Sequence, residues 1–318
     1  FLDEYYSESL VVKGESKIKS GEKLSFGGGT EYKYDWGNFQ NRGSYFASTK
    51  GHMKDLGIFF NAGYKFNKNR VLSFYGRTDD HNTTGNNETY KLNFIQIIGD
   101  FKFGGTHSTG LRNPTLYEFY GSDKNGFTGN KNLEPEKSKT NEIYGEYNIS
   151  KNLKFASTAY RTNIFDRIEL NSGWSAYENK LSDINQEGLE SELIFSENDQ
   201  KYSIFTHFLK SRTSTGGPQS RRPDLSYGIN YSKNFLTDNF GTINYGINYK
   251  YTGNYLDWDG SANTFQKSTD LVDMTISKVI RNNIFSIKLS NLLNERYEKP
   301  ATYIQDGRQI RLNFRKLY

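Results

Sequence analysis

Two neighbouring stretches decide the fold: SYGINYSKNF at residues 226–235 and TINYGINYKY at residues 242–251. In the first, Tyr227, Ile229 and Tyr231 alternate with Ser226, Gly228, Asn230 and Ser232. In the second, Ile243, Tyr245, Ile247, Tyr249 and Tyr251 alternate with Asn244, Gly246, Asn248 and Lys250. Successive side chains of a strand point to opposite faces, so each run gathers apolar groups on one side and small polar groups on the other. The tight join Leu236-Thr237-Asp238-Asn239 makes the pair a hairpin.

Working outward, the same texture repeats between two kinds of connection. Tight turns are predicted at Ser20-Gly21-Glu22, Asn67-Lys68-Asn69, Gly99-Asp100, Ser150-Lys151-Asn152, Glu197-Asn198-Asp199 and Arg281-Asn282-Asn283. Longer polar segments are expected at residues 35–51, 80–88, 110–136, 171–179, 214–222, 257–267 and 294–306. Short and long connections that alternate describe an antiparallel up-and-down sheet with one clipped rim and one looped rim, the pattern of a transmembrane β-barrel. The strands between them number roughly fifteen. No helix-period segment of useful length competes with this all-β reading.

Composition agrees. Only 34% of the 318 residues are hydrophobic, while 24 Tyr and 23 Phe lift the aromatic share to 16%; no stretch approaches the ~20 apolar residues of a spanning helix. A membrane role therefore needs strands. Cysteine is absent, so there is no disulfide and no thiolate metal site. The net charge of +5 is spread along the chain without a nucleic-acid-binding pattern. A soluble sandwich would bury aliphatic residues between two sheets. Here the apolar face is rich in Tyr and Phe, which suit a lipid headgroup boundary where a ring meets hydrocarbon and a hydroxyl meets water. No propeller signature recurs.

The chain opens FLDEYY, with no export signal. Counting back from a last strand that runs towards the periplasm, the first strand runs the same way. An odd set entering from outside does not close alone, because bacterial barrels have even strand numbers. The expectation is that residues 1–318 form the C-terminal part of a larger barrel.

Four motifs carry a family resemblance: THSTGLRNPTLYEFYG (residues 106–121) with GNKNLEPEKSKTNEIYGEY (129–147), INQEGLESEL (184–193), LSNLLNERY (289–297), and DGRQIRLNF (306–314). In this order they resemble TonB-dependent outer-membrane receptors. The segments YKYDWGNFQNRGSY (32–45), KGHMKDLGIFFNAGY (50–64) and GRTDDH (76–81) look most like the cobalamin-receptor branch. The resemblance implies a partial barrel of ~22 strands in the outer membrane of a Gram-negative bacterium, its plug domain and first strands absent from this sequence. It also implies binding of a scarce, bulky nutrient and import driven through the TonB complex. Outer-membrane lipid and lipopolysaccharide would be partners. So would the barrel-assembly machinery, which reads a terminal strand in which Ile310, Leu312, Phe314 and Tyr318 alternate; Lys316 interrupts the series.

Most motif residues have structural readings. Gly110 and Pro114 serve a strand exit; Arg112 and Glu118 form a polar pair facing the lumen; Pro135 and Glu136 restart the next strand. Asn291 begins the last loop and Gly307 turns the chain back. Candidate contacts for a flat ligand lie in the long loops, at Trp36, Tyr45, Tyr117, Tyr120, Trp174, Tyr177, Trp258 and Phe265, since rigid aromatics offer area at low entropy cost. Girdle or loop-core packing is the plainer use of the same residues. Asp257 and Asp259 flank Trp258 and are candidate calcium ligands, although a short Asp-x-Asp pair falls short of a full ligand set; no other metal site or cofactor is expected. His107 beside Ser108 invites a hydrolase reading, yet adjacent strand residues face opposite ways, and neither a nucleophile elbow nor a His-Glu-x-x-His site occurs. The chain is read as a receptor and not an enzyme. A siderophore or other metal-chelate receptor shares every strong motif, and a passive porin is the rival of a different class.

Overall fold

The computed structural model describes residues 3–42, 46–237 and 241–316. Nineteen strands follow one another: β1 (Asp3–Ser20), β2 (Leu24–Arg42), β3 (Phe46–Asn67), β4 (Arg70–His81), β5 (Gly85–Ile98), β6 (Phe101–Arg112), β7 (Glu136–Asn148), β8 (Leu153–Phe165), β9 (Ile168–Leu170), β10 (Tyr177–Asn179), β11 (Ile184–Glu197), β12 (Gln200–Thr213), β13 (Leu225–Thr237), β14 (Gly241–Thr252), β15 (Tyr255–Trp258), β16 (Asn263–Gln266), β17 (Thr269–Ile280), β18 (Asn283–Ser290) and β19 (Gln309–Lys316). A short helix, α1 (Leu116–Tyr120), lies between β6 and β7. The pairs β9/β10 and β15/β16 are small separate hairpins, and the other strands form a 15-stranded sheet in chain order. The sheet is the up-and-down arrangement that alternating short and long connections require.

The hairpin read first from the sequence is β13/β14, with Ser226 opposite Thr252 and Thr237 opposite Gly241; of its join, Asp238 and Asn239 lie outside the described residues. The six tight turns fall where expected. Gly21, Gly99, Asn198 and Arg281 take φ of 67°, 57°, 50° and 52°, the left-handed conformation that lets an antiparallel pair reverse in a few residues.

Two expected loops are strand instead. Residues 35–51 are largely the paired ends of β2 and β3, with Trp36 opposite His52 and Gly37 opposite Gly51; residues 80–88 reduce to a turn between His81 and Gly85. A strand needs about 9–11 residues to cross hydrocarbon, and β3 has 22. Beyond such a length the ladder continues without needing an apolar face, so the alternation that marks a strand fades while the pairing does not. The long connection 113–135 also contains α1, a helix too short to leave a periodic signal.

The chain divides into two compact units: one made of residues up to Ile98, Gly104–Ile143 and Arg161–Asn185, the other of Gly99–Phe103, Tyr144–Tyr160 and residues from Gln186 on. In the first unit, Phe26, Ala62, Phe74 and Leu92 line up across β2 to β5, and Leu56, Ile58, Phe60, Tyr64 and Phe66 of β3 are all exposed. In the second, Tyr202, Tyr231, Ile247, Met274, Leu289 and Ile310 form a row across β12, β13, β14, β17, β18 and β19. The opposite face of that unit carries the row Ser203, Asn230, Asn248 and Asp273. Among the described residues no second layer covers the apolar rows: Ile204, Ile229, Phe285 and Ile310 stand exposed. Water penalises such a surface by about 25 cal/mol per Å², whereas hydrocarbon welcomes it.

Buried apolar side chains are instead few, and one cluster of them, Met53, Phe119, Leu133 and Ile168 with Leu116, Tyr120 and Tyr177 against it, lies under the connection between β6 and β7. That cluster fixes the floor and roof of the site described next.

Candidate ligand-facing site

The roof begins at the end of β6. Buried Pro114 cannot donate to a ladder, so pairing stops there. Thr115 caps α1: its hydroxyl accepts the Glu118 N–H at 3.2 Å while Glu118 Oε2 accepts the Thr115 N–H at 2.7 Å, a reciprocal capping box. Arg112 Nη1 donates to both Glu118 oxygens at 3.1 and 3.2 Å, and Nη2 reaches Glu136 Oε2 at 3.4 Å. Glu136 Oε2 also accepts the Ile168 N–H at 3.4 Å. The expected polar pair is therefore a three-residue network, and Pro135, buried beside it, sets the start of β7. Gly110 leaves room for Ser138, whose Oγ would lie 2.6 Å from a Cβ there.

The helix is seated on β2 and β3. A Cβ on Gly51 would come within 2.2 Å of the Tyr120 ring, and Thr49 Oγ1 donates to the Tyr120 carbonyl at 2.6 Å. Tyr117 stacks on Phe127 with ring centroids 4.7 Å apart and planes at 4°, and meets Tyr5 and Phe39 edge-on at 5.4 and 5.6 Å. Burial, followed by the bond to Tyr5, pushes the Tyr117 phenol up from its ordinary value. Tyr177 meets Phe127 edge-on at 5.7 Å. Tyr117, Tyr120 and Tyr177 are thus brought together, chiefly as packing.

The other aromatic candidates are placed separately. Trp174 sits in the loop joining β9 and β10 with φ of 58° and is exposed. Trp36 faces away from α1: it shares a row with Glu8 and His52 and packs edge-on to Tyr6 at 5.5 Å, whereas its neighbours Gly37 and Phe39 point towards Leu116 and Tyr117. Tyr45 and Tyr318 lie outside the described residues.

In the second unit, β15/β16 presents Trp258 and Phe265 on one face, 41% and 66% exposed, and turns Asp257 inward, 1% exposed. Asp257 Oδ1 accepts from Arg221 Nε at 2.7 Å and from the Trp258 N–H at 2.8 Å, and Oδ2 accepts the Ala301 N–H at 2.9 Å. Asp259 Oδ1 accepts from the backbone of Ser261 and Ala262, both at 2.8 Å. The two carboxylates therefore hold loops. Asn291, 6% exposed with φ of 52°, bridges Glu295 and the Asp306 carbonyl through its amide, and Gly307 clears Asn294, whose Oδ1 would lie 2.6 Å from a Cβ there.

Beneath α1 the sheet supplies a charged floor that the sequence reading passed over. Lys33, Asp55 and His81 share one row across β2, β3 and β4, and Glu31, Gly57 and Asp79 the next. Lys33 Nζ binds Asp35 Oδ2 at 2.6 Å, while Ser9 Oγ donates to Asp35 Oδ1 at 2.6 Å. Arg77 Nη2 binds Asp79 at 2.6 Å and Glu31 at 3.1 Å. Between this floor and residues 113–117 lies a cavity of about 560 Å³. The only prior signal was alternation within β2 to β4 where both faces are partly polar. Elsewhere His107 uses both ring nitrogens, one 3.0 Å from the Tyr90 hydroxyl and the other 2.8 Å from Asn141 Oδ1, which separates it from Ser108. Among the described residues no group of three or more His, Asp or Glu gathers for a metal ion.

A family profile described as TonB dependent receptor-like, beta-barrel, matches residues 2–292. The chain belongs to the TonB-dependent receptor β-barrel family. Such receptors reside in the Gram-negative outer membrane, which accounts for the uncovered apolar rows. Solved structures share the fold. The siderophore receptor PirA from Acinetobacter baumannii has a TM-score of 0.79 at 16% identity over 98% of this chain and 55% of its own. The ferric enterobactin receptor PfeA from Pseudomonas aeruginosa, a Q482A mutant in complex with enterobactin, has 0.80 at 17% over 98% and 54%. The FrpB iron transporter from Neisseria meningitidis has 0.78 at 13% over 98% and 56%. This TonB-dependent receptor chain thus spans little more than half the length of the structures it matches.

Proposed function

We propose that the chain is the wall and loop region of an outer-membrane receptor that binds a metal chelate of the siderophore class and imports it with energy delivered through TonB. The observation that carries this is the family match over residues 2–292, joined to loops that are locked by buried polar anchors yet present aromatic side chains outward. Two readings of the cargo are unequal. The structures compared above are a siderophore receptor, a ferric enterobactin receptor and an iron transporter, which supports an iron chelate. Cobalamin rests on residues 32–45, 50–64 and 76–81 alone, and those lie in β2, β3 and β4 apart from residues 43–45, which lie outside the described residues. Contact with lipopolysaccharide and with the assembly machinery accompanies the receptor reading.

The test is growth and uptake in the native bacterium. Deleting the gene should abolish growth on a ferric catecholate as sole iron source, and unlabelled chelate should displace labelled ferric enterobactin from outer membranes while cobalamin does not. Displacement of labelled cobalamin instead would transfer the assignment to that ligand. Uptake that persists after the inner-membrane gradient is dissipated would replace active import with passive passage.

A further inference from the structure

The outward, apolar face of the second unit carries three lysines near the rim of tight turns. Lys233 follows Tyr231 on β13, Lys278 follows Ile276 on β17 and Lys316 follows Phe314 on β19, each two positions along and so on the same face. They descend in register. Lys233 shares a row with Tyr245 and Ile276; Lys278 lies one row nearer the turns, with Ile243, Phe285 and Phe314; Lys316 lies one row further, opposite Asn283. Each step is two residues, about 6.8 Å along the strand, for two strand spacings, about 9.6 Å across, a slope of about 35°. Strands of a transmembrane barrel tilt by about 35–45°, so a line of that slope runs parallel to the membrane plane. The turns descend in the same sense: β12 starts at Gln200, opposite Lys233, while β13 runs on to Thr237. The three lysines therefore stand at one depth.

Tight turns mark the periplasmic rim. Lys233 Nζ lies 4.7 Å from the centroid of the Phe235 ring, two positions closer to that rim, the bend of a lysine that snorkels towards headgroups. Phe285 and Phe314, 5.1 Å apart, place girdle aromatics at the same level. No carboxylate balances the strip on this face. Among the described residues of β12, β13, β14, β17, β18 and β19, the one outward Asp or Glu is Asp270, at the looped end, where it accepts the Tyr249 hydroxyl at 2.6 Å. Arg212, also at that end, is paired with Asp224 at 2.8 Å. Lys278 and Lys316 keep interactions within the chain, but an ammonium has three N–H donors and needs to give only one to a lipid.

We infer that this strip of the wall binds acidic phospholipid in the periplasmic leaflet, with the phosphate against the ammoniums and the acyl chains along the Tyr and Ile rows above. Bonds between ionised partners are roughly twice as strong as neutral ones. A zwitterionic phospholipid brings its own ammonium, which repels the lysines and cancels its phosphate, and lipopolysaccharide occupies the leaflet at the looped rim. The inference rests on the membrane location and not on the cargo.

The experiment extracts the full-length protein from outer membranes in detergent, strips bound lipid, offers equal amounts of dioleoyl phosphatidylglycerol and dioleoyl phosphatidylethanolamine, and counts retained lipid by native mass spectrometry. Phosphatidylglycerol should be favoured at least about tenfold. Lys233→Gln, Lys278→Gln and Lys316→Gln together should abolish that preference, and Lys→Arg at the same three positions should retain it. Lys210→Gln, exposed at the looped end of β12, should leave it unchanged. Equal retention of the two lipids, a preference that survives the Gln triple, or the same loss in Lys210→Gln overturns the inference. So does loss of co-purified lipopolysaccharide in place of phosphatidylglycerol from the Gln triple. The two-lipid comparison on the natural protein decides the matter even where a variant fails to assemble. Because the readout is retained lipid and not iron uptake, this result and the chelate result fail separately.

Discussion

Arg221 and Asp257 meet at 2.7 Å, 36 positions apart in the chain, and this contact ties the loop after β12 to the β15/β16 hairpin; the other carboxylate oxygen ties the hairpin to the loop before β19 through the Ala301 N–H. One buried carboxylate therefore holds three loops. Asp257→Ala should leave the Ala301 N–H and its surroundings unsatisfied at a cost of about 1–3 kcal/mol. Limited proteolysis should then cut within residues 214–222 and 294–306 faster than in the natural protein, while cleavage in residues 122–134 stays unchanged. Equal cutting in all three would show that Asp257 is not the tie.

The same group gives a pH dependence. Burial alone would raise the Asp257 carboxyl, but the Ala301 N–H, Arg221 and the Trp258 N–H together hold it below the usual carboxylate range. A depressed folded value means that the contribution to loop order is complete above the unfolded value, about 3.9, and is lost only as pH falls through the lower folded one. Amide exchange in residues 255–266 and 299–303 should therefore stay slow from pH 7 to about pH 4 and quicken below it. Loosening already between pH 6 and 5 would contradict this.

Gly51 is required by Tyr120. A methyl group at that position would come within 2.2 Å of a ring wedged under α1, so Gly51→Ala should displace the helix and destabilise the protein by about 1–3 kcal/mol. A lower thermal unfolding midpoint, together with faster proteolysis between β6 and β7, would register it. Pairing Gly51→Ala with Tyr120→Ala should restore part of the midpoint, since the clash is then removed.

Arg112 and Glu118 test the network at the helix cap. Glu118→Ala removes the capping box and two hydrogen bonds to Arg112, for a loss of about 1–3 kcal/mol. Arg112→Lys should not preserve stability, because an ammonium does not reproduce the guanidinium fork that grips both Glu118 oxygens and Glu136 at once. Thermal unfolding of the two variants measures both expectations, and a Lys variant as stable as the natural protein would count against the fork.

Much of this architecture was legible because membrane strands write their two faces into the sequence. Tyr227, Ile229 and Tyr231 gave the hairpin partner, although Leu236 and Thr237 of the expected join are paired strand residues, and Asn198 and Arg281 marked turns at their left-handed residues. What stayed hidden is equally physical. The outer halves of β2 and β3 carry polar groups on both faces, so residues 35–51 looked like a loop. Five helical residues are too few for a period. The Asp55 row spans three strands and consists of single residues more than twenty positions apart, so only pairing brings them together. Gly188, read merely as part of a strand motif, turns out to clear the Tyr160 ring, which would lie 2.2 Å from a Cβ there and whose hydroxyl is 3.1 Å from His207.

In β15/β16 the residue that anchors and the residues that are displayed alternate along the backbone. Substitution at Trp258 or Phe265 touches exposed surface, where changes usually stay within about 0.5 kcal/mol, and leaves the Asp257 anchor intact. Sequence drift at the tip is thereby uncoupled from the architecture beneath it. The displayed side chains can change while the carboxylate beneath them keeps three loops together.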